Sequence, residues 1–304
     1  MRKAVWVIPA VAGGFYMTVR YFFRFALDRN VKQQFAPLGD SKKYEERIRR
    51  GKCWLREHET ETVECQSFDG YRLKGHYYEF PEAEKTLLFF HGWRGNWDGD
   101  FAAFTEYFGN GKFNLLVVEE RAHGASDGRY IGMGVLEHRD VLSWLHWYQK
   151  RKNRKKLPVY LMGVSMGAAS VLMASGKKLP GVKGIIADCA YTNAYEVFKN
   201  FGKARFHVTE YPLIAALNQY CIWKTGVDLK DGDVRKYLGK CRVPVLFVHG
   251  KADSFISPEC AEKNYKAYPA DKQLVLIDGA EHAMSFLVNK EQYILALNQF
   301  FKFS

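Results

Sequence analysis

The patterns that indicate a metal or an organic cofactor are missing from this sequence. None of the six cysteines has the CxxC spacing, and there is no HExxH pattern or paired cluster of cysteine and histidine. The segment Gly109-Asn110-Gly111-Lys112 lacks both the spacing of a P-loop and the serine or threonine that would hold Mg²⁺. We therefore expect no cofactor and no metal, and we expect the scattered cysteines to be free thiols in a reducing compartment.

Acidic residues are fewer than basic ones, 33 against 45, so the chain of 304 residues has a formal net charge of +12. Such an excess raises the question of an anionic partner. The densest basic run, residues 150–156, contains no aromatic residue, and no nucleic-acid-binding signature surrounds it. The run predicts a solvated helix end and loop, with a contact to anionic lipid headgroups as the alternative. We expect no nucleic-acid partner.

The N-terminal apolar run, residues 4–19, is shorter than the roughly 20 residues that a membrane-spanning helix needs. It would become long enough by continuing through Arg20 and Arg24 to Leu27. These two arginines are four residues apart and therefore on one helix face, from which they could reach lipid headgroups. We predict that residues 1–30 form an uncleaved apolar helix that anchors in a membrane or lies on it.

Two alternatives stay open for this segment. One is a cleaved signal peptide, because Ala10-Val11-Ala12 resembles a cleavage site, and the other is a helix packed on the body of the same protein. The cations that follow the apolar run outnumber those that precede it, which favours a cytoplasmic catalytic domain. We expect a membrane-associated protein in which residues 31–304 form that domain.

The middle and the end of the chain alternate between short apolar runs and helix-length segments. A charged helix over residues 41–50, ended by Gly51, is predicted first, followed by a hairpin around Asp69-Gly70. The predicted strands are residues 62–67, 71–80, 86–90, 114–119, 159–162, 184–187, 245–248 and 273–277. Apolar strands that alternate with helices predict a parallel sheet covered on both faces, with ligands at the carboxyl ends of the strands.

Residues 190–240 interrupt this alternation. They contain no convincing strand but many aromatic residues, from Tyr191 to Trp223. The stretch is far longer than a connection needs. We predict an inserted helical cap over the active site; the alternative is a set of extra helices whose aromatic side chains pack on the sheet.

The segment Gly163-Val164-Ser165-Met166-Gly167 has the G-x-S-x-G pattern of a nucleophile elbow. It follows an apolar strand and precedes a stretch of small residues suited to a helix, which is the context that the motif requires. Glycines allow close packing around a sharp turn, and the serine hydroxyl then projects above the sheet. We predict that Ser165 is a nucleophile.

A serine nucleophile needs a base within hydrogen-bonding reach, and the base needs a group that orients it. Asp253 and His282 each follow a later predicted strand, in the order serine, acid, histidine. We predict that His282 is the base and that Asp253 orients it. Asp188 and Asp278 are competing acids, of which Asp278 is expected to cap a strand end.

Three other histidines, His91, His123 and His249, each precede a glycine in a predicted turn, where a structural hydrogen bond is the commoner role. The oxyanion of the reaction needs two backbone donors. The residue after the nucleophile supplies one, so we predict the N–H of Met166. For the second we predict the N–H of Trp93, which follows His91-Gly92 after the first central strand.

Five separated motifs occur here in a familiar order: the 91–93 loop, residues 120–128, the elbow, residues 249–253 and Glu281-His282. Together they resemble the bacterial α/β-hydrolases related to the serine aminopeptidase and acylaminoacyl-peptidase/esterase families, over about residues 60–304. The resemblance implies the α/β-hydrolase fold: a mostly parallel central sheet with helices on both faces, an antiparallel N-terminal edge and an inserted helical cap at about residues 190–240. It also implies the same triad and hydrolysis of an ester, amide or thioester through an acyl-enzyme.

The fold alone does not fix the substrate. The aromatic cap and the lack of an obvious charged anchor favour a carboxylesterase for small-to-medium apolar acyl groups. The first alternative is an aminopeptidase-like amidase, in which Glu196 or Glu210 would hold the substrate amine. The second is a non-catalytic binding protein with the hydrolase fold. The expected partner is a small ester or amide, with a membrane surface as a further one, and the oligomeric state stays open.

Overall fold

The computed structural model describes residues 2–31, 41–58, 60–151 and 157–303. Most of the basic run at 150–156 therefore lies outside the described residues. The strands are β1 (Glu61–Gln66), β2 (Arg72–Tyr78), β3 (Lys85–Phe90), β4 (Phe113–Glu119), β5 (Val159–Val164), β6 (Val182–Asp188), β7 (Val245–Gly250) and β8 (Lys272–Ile277). The helices are α1 (Arg2–Leu27), α2 (Glu45–Glu57), α3 (Trp97–Phe101), α4 (Thr105–Phe108), α5 (Glu137–Lys150), α6 (Met166–Ala174), α7 (Ala194–Phe206), α8 (Ala215–Thr225), α9 (Arg235–Leu238), α10 (Glu259–Ala267), α11 (Ser285–Val288) and α12 (Lys290–Phe303).

The eight strands form one sheet in the order β1-β2-β4-β3-β5-β6-β7-β8. The pairs β1–β2 and β2–β4 are antiparallel, and every pair from β4 to β8 is parallel. All residues of β4 and β5 are buried, as expected for strands covered on both faces, whereas burial alternates along the edge strand β1. The predicted fold class, a mostly parallel sheet with an antiparallel N-terminal edge, is confirmed.

Apolar side chains cover both faces of the sheet. One core contains Trp144 of α5 and most of α6, and the other contains Phe104 and Tyr293, so helices contribute to both layers. All six cysteines are free, and four of them are buried. This packing makes the sheet a rigid platform whose carboxyl edge carries the loops described below.

Two helix boundaries differ from the prediction. Helix α2 continues through Gly51 to Glu57. At Gly51 the helix packs so closely on the segment that begins at Ala102 that a Cβ would lie 1.9 Å from the carbonyl oxygen of Ala102. Glycine serves close approach here and does not end the helix. The second is at the C-terminus, where the sequence after the strand at 273–277 predicts one helix over about 283–301; the structure divides it into α11 and α12 at Asn289.

Helices α7, α8 and α9 lie in the long segment between β6 and β7, where the inserted cap was predicted. We call residues 189–244 the insertion. Helix α1 packs against α8 of this insertion. Phe23 of α1 is fully buried, and its ring lies 4.9 Å from that of Tyr220 and 5.1 Å from that of Tyr130.

Helix α1 is thus in part the helix packed on the protein's own body that we held open as an alternative. Its last residues, Val19 to Leu27, contribute four buried apolar side chains, whereas Phe15 to Met17 are exposed. Among the described residues, no helix is both long and apolar enough to cross a membrane.

Candidate active site

Ser165 stands on a strained turn between β5 and α6. Its backbone has φ 55° and ψ −112°, a conformation that costs free energy for a residue with a side chain. The flanking glycines are required by packing: a Cβ on Gly163 would lie 2.2 Å from the carbonyl carbon of Gly167, and one on Gly167 would lie 2.1 Å from the carbonyl oxygen of Phe90. Only glycine permits this turn, which presents the serine at the first turn of α6.

The structure brings Ser165, His282 and Asp253 together. His282 Nε2 lies 2.8 Å from Ser165 Oγ, and His282 Nδ1 lies 2.7 Å from Asp253 Oδ2. Asp253 follows β7 and His282 follows β8, so two neighbouring parallel strands carry the acid and the base to the same edge of the sheet. The imidazole can therefore accept the serine proton on one side while the carboxylate holds the other nitrogen protonated.

Asp253 has an unusually complete set of hydrogen-bond donors. Its Oδ1 accepts from the backbone N–H of Phe255 at 3.0 Å and of Ile256 at 2.7 Å. Its Oδ2 is shared between His282 and His249, whose Nε2 lies 3.1 Å away. Burial alone would raise the pKa of Asp253, but the hydrogen bonds from His249 and His282 outweigh it and lower the pKa to about 2. The carboxylate is therefore ionised across the neutral pH range.

His249 makes a contact with Asp253 that the sequence did not predict. The imidazole is fully buried, and its Nε2 lies within reach of two acceptors, the carboxylate of Asp253 and the carbonyl oxygen of Ile256 at 2.8 Å. Because both partners accept, Nε2 carries a proton. The sequence shows that His249 lies four residues before Asp253, but it gives no indication that the two side chains face each other.

In each of the other two histidines, both ring nitrogens are hydrogen-bonded to the backbone. Nδ1 of His91 donates to the carbonyl oxygen of Gly92 at 2.8 Å, and its Nε2 accepts from the N–H of Glu120 at 3.1 Å. Nδ1 of His123 donates to the carbonyl oxygen of Arg121 at 2.8 Å, and its Nε2 accepts from the N–H of Arg94 at 3.1 Å. Burial lowers the pKa of both imidazoles, which keeps them neutral. They fix the loops beside the site.

The competing acids lie apart from this chain of hydrogen bonds. Asp278 is exposed and pairs with Lys251 at 2.7 Å. Asp188 is buried at the end of β6 and accepts a hydrogen bond from the hydroxyl of Tyr293 at 3.1 Å. Burial raises the pKa of Asp188 to about 6. Among these acids, Asp253 is the one hydrogen-bonded to His282.

The 91–95 loop, which carries Trp93, runs alongside the serine. A Cβ on Gly92 would lie 3.4 Å from Ser165 Cβ, so glycine leaves room for a reacting group there. The N–H of Gly92 donates to Asp100 Oδ2 at 2.7 Å, which fixes the loop. Met166 is the first residue of α6, directly after Ser165. The two predicted oxyanion donors therefore belong to segments on either side of the serine.

The end of helix α1 is hydrogen-bonded to the 91–95 loop, a contact that the sequence did not predict. The indole Nε1–H of Trp93 donates to the carbonyl oxygen of Ala26 at 2.8 Å. The guanidinium of Arg94 donates to the carbonyl oxygens of Phe25 at 2.6 Å and Val31 at 2.8 Å. The last carbonyls of a helix have no partner within the helix, so these side chains satisfy the C-terminal end of α1. The N-terminal helix is thus joined to the candidate site.

A cavity opens beside Ser165, which we call the serine cavity. It has about 390 Å³ of space, a figure that includes open solvent at its mouth. Its walls come from the 91–95 loop, α7 and the start of the segment after Asp253, and they include Trp93, Val197, Phe198, Phe201, Phe255 and Ile256. No charged side chain of the described residues lines it.

The two carboxylates considered for an aminopeptidase lie outside this cavity. Glu196 is paired with Lys199 at 2.9 Å, and Glu210 accepts a hydrogen bond from the hydroxyl of Tyr195 at 3.2 Å. Neither contributes to the wall of the serine cavity. The amide alternative therefore lacks the anchor that we predicted for it.

The fold and this arrangement are those of an α/β-hydrolase. The model of the X-Pro dipeptidyl-peptidase (S15) family matches residues 75–222. The chain is 25% identical to the uncharacterized protein YqkD of Bacillus subtilis over 232 residues, which are 76% of this chain and 75% of that protein. It is also 25% identical to caffeoylshikimate esterase of Arabidopsis thaliana over 239 residues, which are 67% of this chain and 72% of that enzyme.

Among solved structures, the esterase Pf2001 of Pyrococcus furiosus superposes with a TM-score of 0.66 at 19% identity, covering 89% of this chain and 96% of the esterase. Est1E of Butyrivibrio proteoclasticus superposes with a TM-score of 0.60 at 18% identity, covering 80% of this chain and 97% of that one. The chain therefore has the α/β-hydrolase fold, as the motifs predicted, and the proteins it resembles include esterases and a peptidase family.

Proposed function

We propose that the protein is a carboxylesterase that cleaves esters of apolar acyl groups through an acyl-enzyme on Ser165. The observation that carries this proposal is the apolar wall of the serine cavity, which suits a hydrocarbon and offers no charge to a substrate amine. The caffeoylshikimate esterase among the relatives and the esterases among the structural neighbours agree with it.

The proposed reaction uses each group in a distinct role. His282 Nε2 takes the proton of Ser165 Oγ as that oxygen attacks the ester carbonyl, and Asp253 stabilises the imidazolium. The N–H groups of Met166 and Trp93 bind the oxyanion. His282 then gives the proton to the leaving alcohol. Water, deprotonated by the same imidazole, hydrolyses the acyl-enzyme, and the proton returns to Ser165 as the acid departs.

The test is a series of p-nitrophenyl esters from acetate to palmitate, run with wild type and Ser165→Ala. We expect kcat to fall by at least about 10⁴-fold in the variant. An unchanged melting temperature and the loss of labelling by a fluorophosphonate would show that the serine is lost and the fold kept. Turnover that survives in Ser165→Ala would refute the proposed nucleophile.

The second candidate function is an amidase, which the match to the S15 peptidase model favours. Aminoacyl p-nitroanilides belong in the same assay for this reason. Turnover of the anilides at a rate above that of every ester, dependent on Ser165, would replace the esterase with the amidase. If neither series is turned over, a binding protein with the hydrolase fold or an enzyme for a narrowly specific substrate replaces both candidates.

The exposed part of α1 supports a further proposal, contact with a membrane surface. Tyr16, Met17 and Tyr21 are between 49% and 65% exposed, and Arg20 is beside them. Aromatic side chains next to cations suit the headgroup region of an anionic bilayer. The test is sedimentation with vesicles that contain phosphatidylserine.

In that test we expect Met17→Ser with Tyr21→Ser to lower the bound fraction by on the order of fivefold. Leu295→Ser is the matched control, because Leu295 is 58% exposed on α12. Equal binding by both variants would show that α1 is not the contact.

A further inference from the structure

A second apolar cavity lies next to the serine cavity, on the side of helix α1. We call it the helix cavity. Its space is about 390 Å³ including its mouth, and α1 forms one wall with Phe22, Phe25 and Ala26. The opposite wall belongs to the insertion and includes Phe206, Leu213 and Leu217.

The two cavities have three side chains in common. Trp93, Phe198 and Phe201 line both of them, so these rings form the partition between the cavities. Phe201 is in edge-to-face contact with Phe255 on the serine side and with Phe206 on the helix side, each at 5.8 Å between ring centroids. Aromatic side chains therefore separate the serine cavity from the helix cavity.

The chemistry of the helix cavity restricts its occupant. Every residue of its wall is apolar or glycine, so neither a charged group nor an ordered water would find partners there. A hydrocarbon chain is the occupant that this wall accepts without leaving a polar group unsatisfied.

We propose that the helix cavity binds the distal part of a long acyl chain whose carbonyl carbon lies at Ser165. This inference rests on the proposed esterase function and names its substrate class, esters of medium-to-long unbranched acids. Phe22 and Phe25 of α1 set the limit of chain length, together with Leu217 of α8. The N-terminal helix is then a wall of the substrate site, so removal of residues 1–27 would lower activity on long esters.

The contacts that hold α1 support this role. Trp93, a member of the partition, donates its indole N–H to the carbonyl oxygen of Ala26, a residue of the helix cavity wall. Phe22 packs edge-to-face on Phe206 across the cavity, with ring centroids 4.9 Å apart. The wall is therefore attached at both ends, to the 91–95 loop and to the insertion.

The experiment measures kcat/KM in cavity variants for p-nitrophenyl esters whose acyl chains have about 2, 4, 8, 12 and 16 carbons. Leu217→Trp fills the helix cavity, and we expect it to lower kcat/KM for the 12-carbon ester by about tenfold or more while the 4-carbon ester changes by less than about twofold. Phe25→Ala enlarges the cavity and should shift the preferred length toward longer chains. Leu295→Ala, on the exposed face of α12 and outside the walls of both cavities, is the matched control.

The outcomes separate this inference from the function on which it rests. If short esters are hydrolysed in a Ser165-dependent manner but neither Leu217→Trp nor Phe25→Ala changes the length preference, the helix cavity is not an acyl site and the esterase proposal stands. If no ester of any length is hydrolysed, the esterase proposal fails first. Normal turnover of the 4-carbon ester shows that each variant is folded, so a misfolded variant cannot be mistaken for either result.

Discussion

Two buried aspartates lie at the ends of neighbouring strands. Their pKa values are shifted from that of an ordinary carboxyl group in opposite directions. Asp188 ends β6, and Asp253 follows β7. The pKa of Asp188 is raised to about 6 by burial, whereas that of Asp253 is lowered to about 2 despite burial. Both carboxyl groups lie near His282 and His249, and the interaction with these imidazoles lowers the pKa of each aspartate.

The number of hydrogen-bond donors explains the difference. Asp253 accepts hydrogen bonds from two backbone N–H groups and from two imidazoles. Within the described residues, Oδ2 of Asp188 accepts a hydrogen bond from the hydroxyl of Tyr293, and its Oδ1 has no hydrogen-bond partner. A buried carboxylate stays ionised only when donors replace the water that it has lost. Of the two acids, only Asp253 is equipped to stabilise an imidazolium.

The largest loss of activity is expected from Asp253→Asn. The amide cannot hold the imidazole with Nδ1 protonated, so His282 would lose the tautomer that it needs to accept the serine proton. We expect kcat on the best p-nitrophenyl ester to fall by about 10⁴-fold, as in other serine hydrolases. Steady-state kinetics at neutral pH measures the effect.

Asp278→Asn is the control for that variant, since Asp278 is an exposed acid paired with Lys251. It should keep the wild-type rate within about twofold. A loss of less than tenfold in Asp253→Asn would mean that another carboxylate orients His282, and Asp188 would be the next to test.

A smaller loss of kcat is expected from substitution of His249, because His249 is one of the hydrogen-bond donors to Asp253. His249→Leu removes one donor and should raise the pKa of Asp253, whereas His249→Gln keeps an N–H at a similar position. We expect kcat to fall by about tenfold in His249→Leu and to recover in part in His249→Gln.

The free energy of unfolding gives His249 a second readout. Because the pKa of Asp253 is lower in the folded than in the unfolded protein, its contribution of about 2 kcal/mol is present above about pH 4 and disappears as the pH falls toward 2. In His249→Leu this loss should begin at higher pH, measured by urea unfolding between about pH 5 and pH 2.5. Identical pH profiles in wild type and both variants would exclude His249 as a positioning residue.

The meeting of Ser165, Asp253 and His282 at one edge of the sheet was predictable because the sequence signals for it are local. Ser165 lies between glycines that the turn requires, and Asp253 and His282 each follow an apolar strand by a few residues. The parallel sheet then brings them to one edge, whatever the surrounding lining. The antiparallel edge followed from the hairpin signal at Asp69-Gly70, whereas the order of the strands within the sheet was not predicted.

The walls of the cavities were not predictable, since they depend on contacts between distant segments. Phe22 and Phe25 are separated from Phe206 by more than half of the chain, and no periodicity distinguishes a helix that lines a cavity from one that meets a membrane. The same limit explains Gly51, whose closeness to Ala102 is a matter of tertiary packing. His249 was predicted to be a structural turn histidine because the sequence does not show where its ring points.

Asp188→Asn is expected to change the stability of the protein more than its activity. Because the pKa of Asp188 is higher in the folded than in the unfolded protein, the folded state binds more protons between about pH 4 and 6, and the free energy of unfolding decreases as the pH rises through this range. An asparagine carries no charge at any pH and can still accept the hydrogen bond from Tyr293. We expect the variant to be more stable than wild type at pH 8, by on the order of 1–3 kcal/mol, and equal to it at pH 4.

The activity of Asp188→Asn should stay within about threefold of wild type, because Asp188 makes no hydrogen bond to His282. Thermal unfolding at the two pH values and kcat on the same ester measure both expectations. A loss of kcat as large as that of Asp253→Asn would place Asp188 in the proton-transfer path. The count of donors would then be the wrong criterion for choosing between two buried acids on adjacent strands.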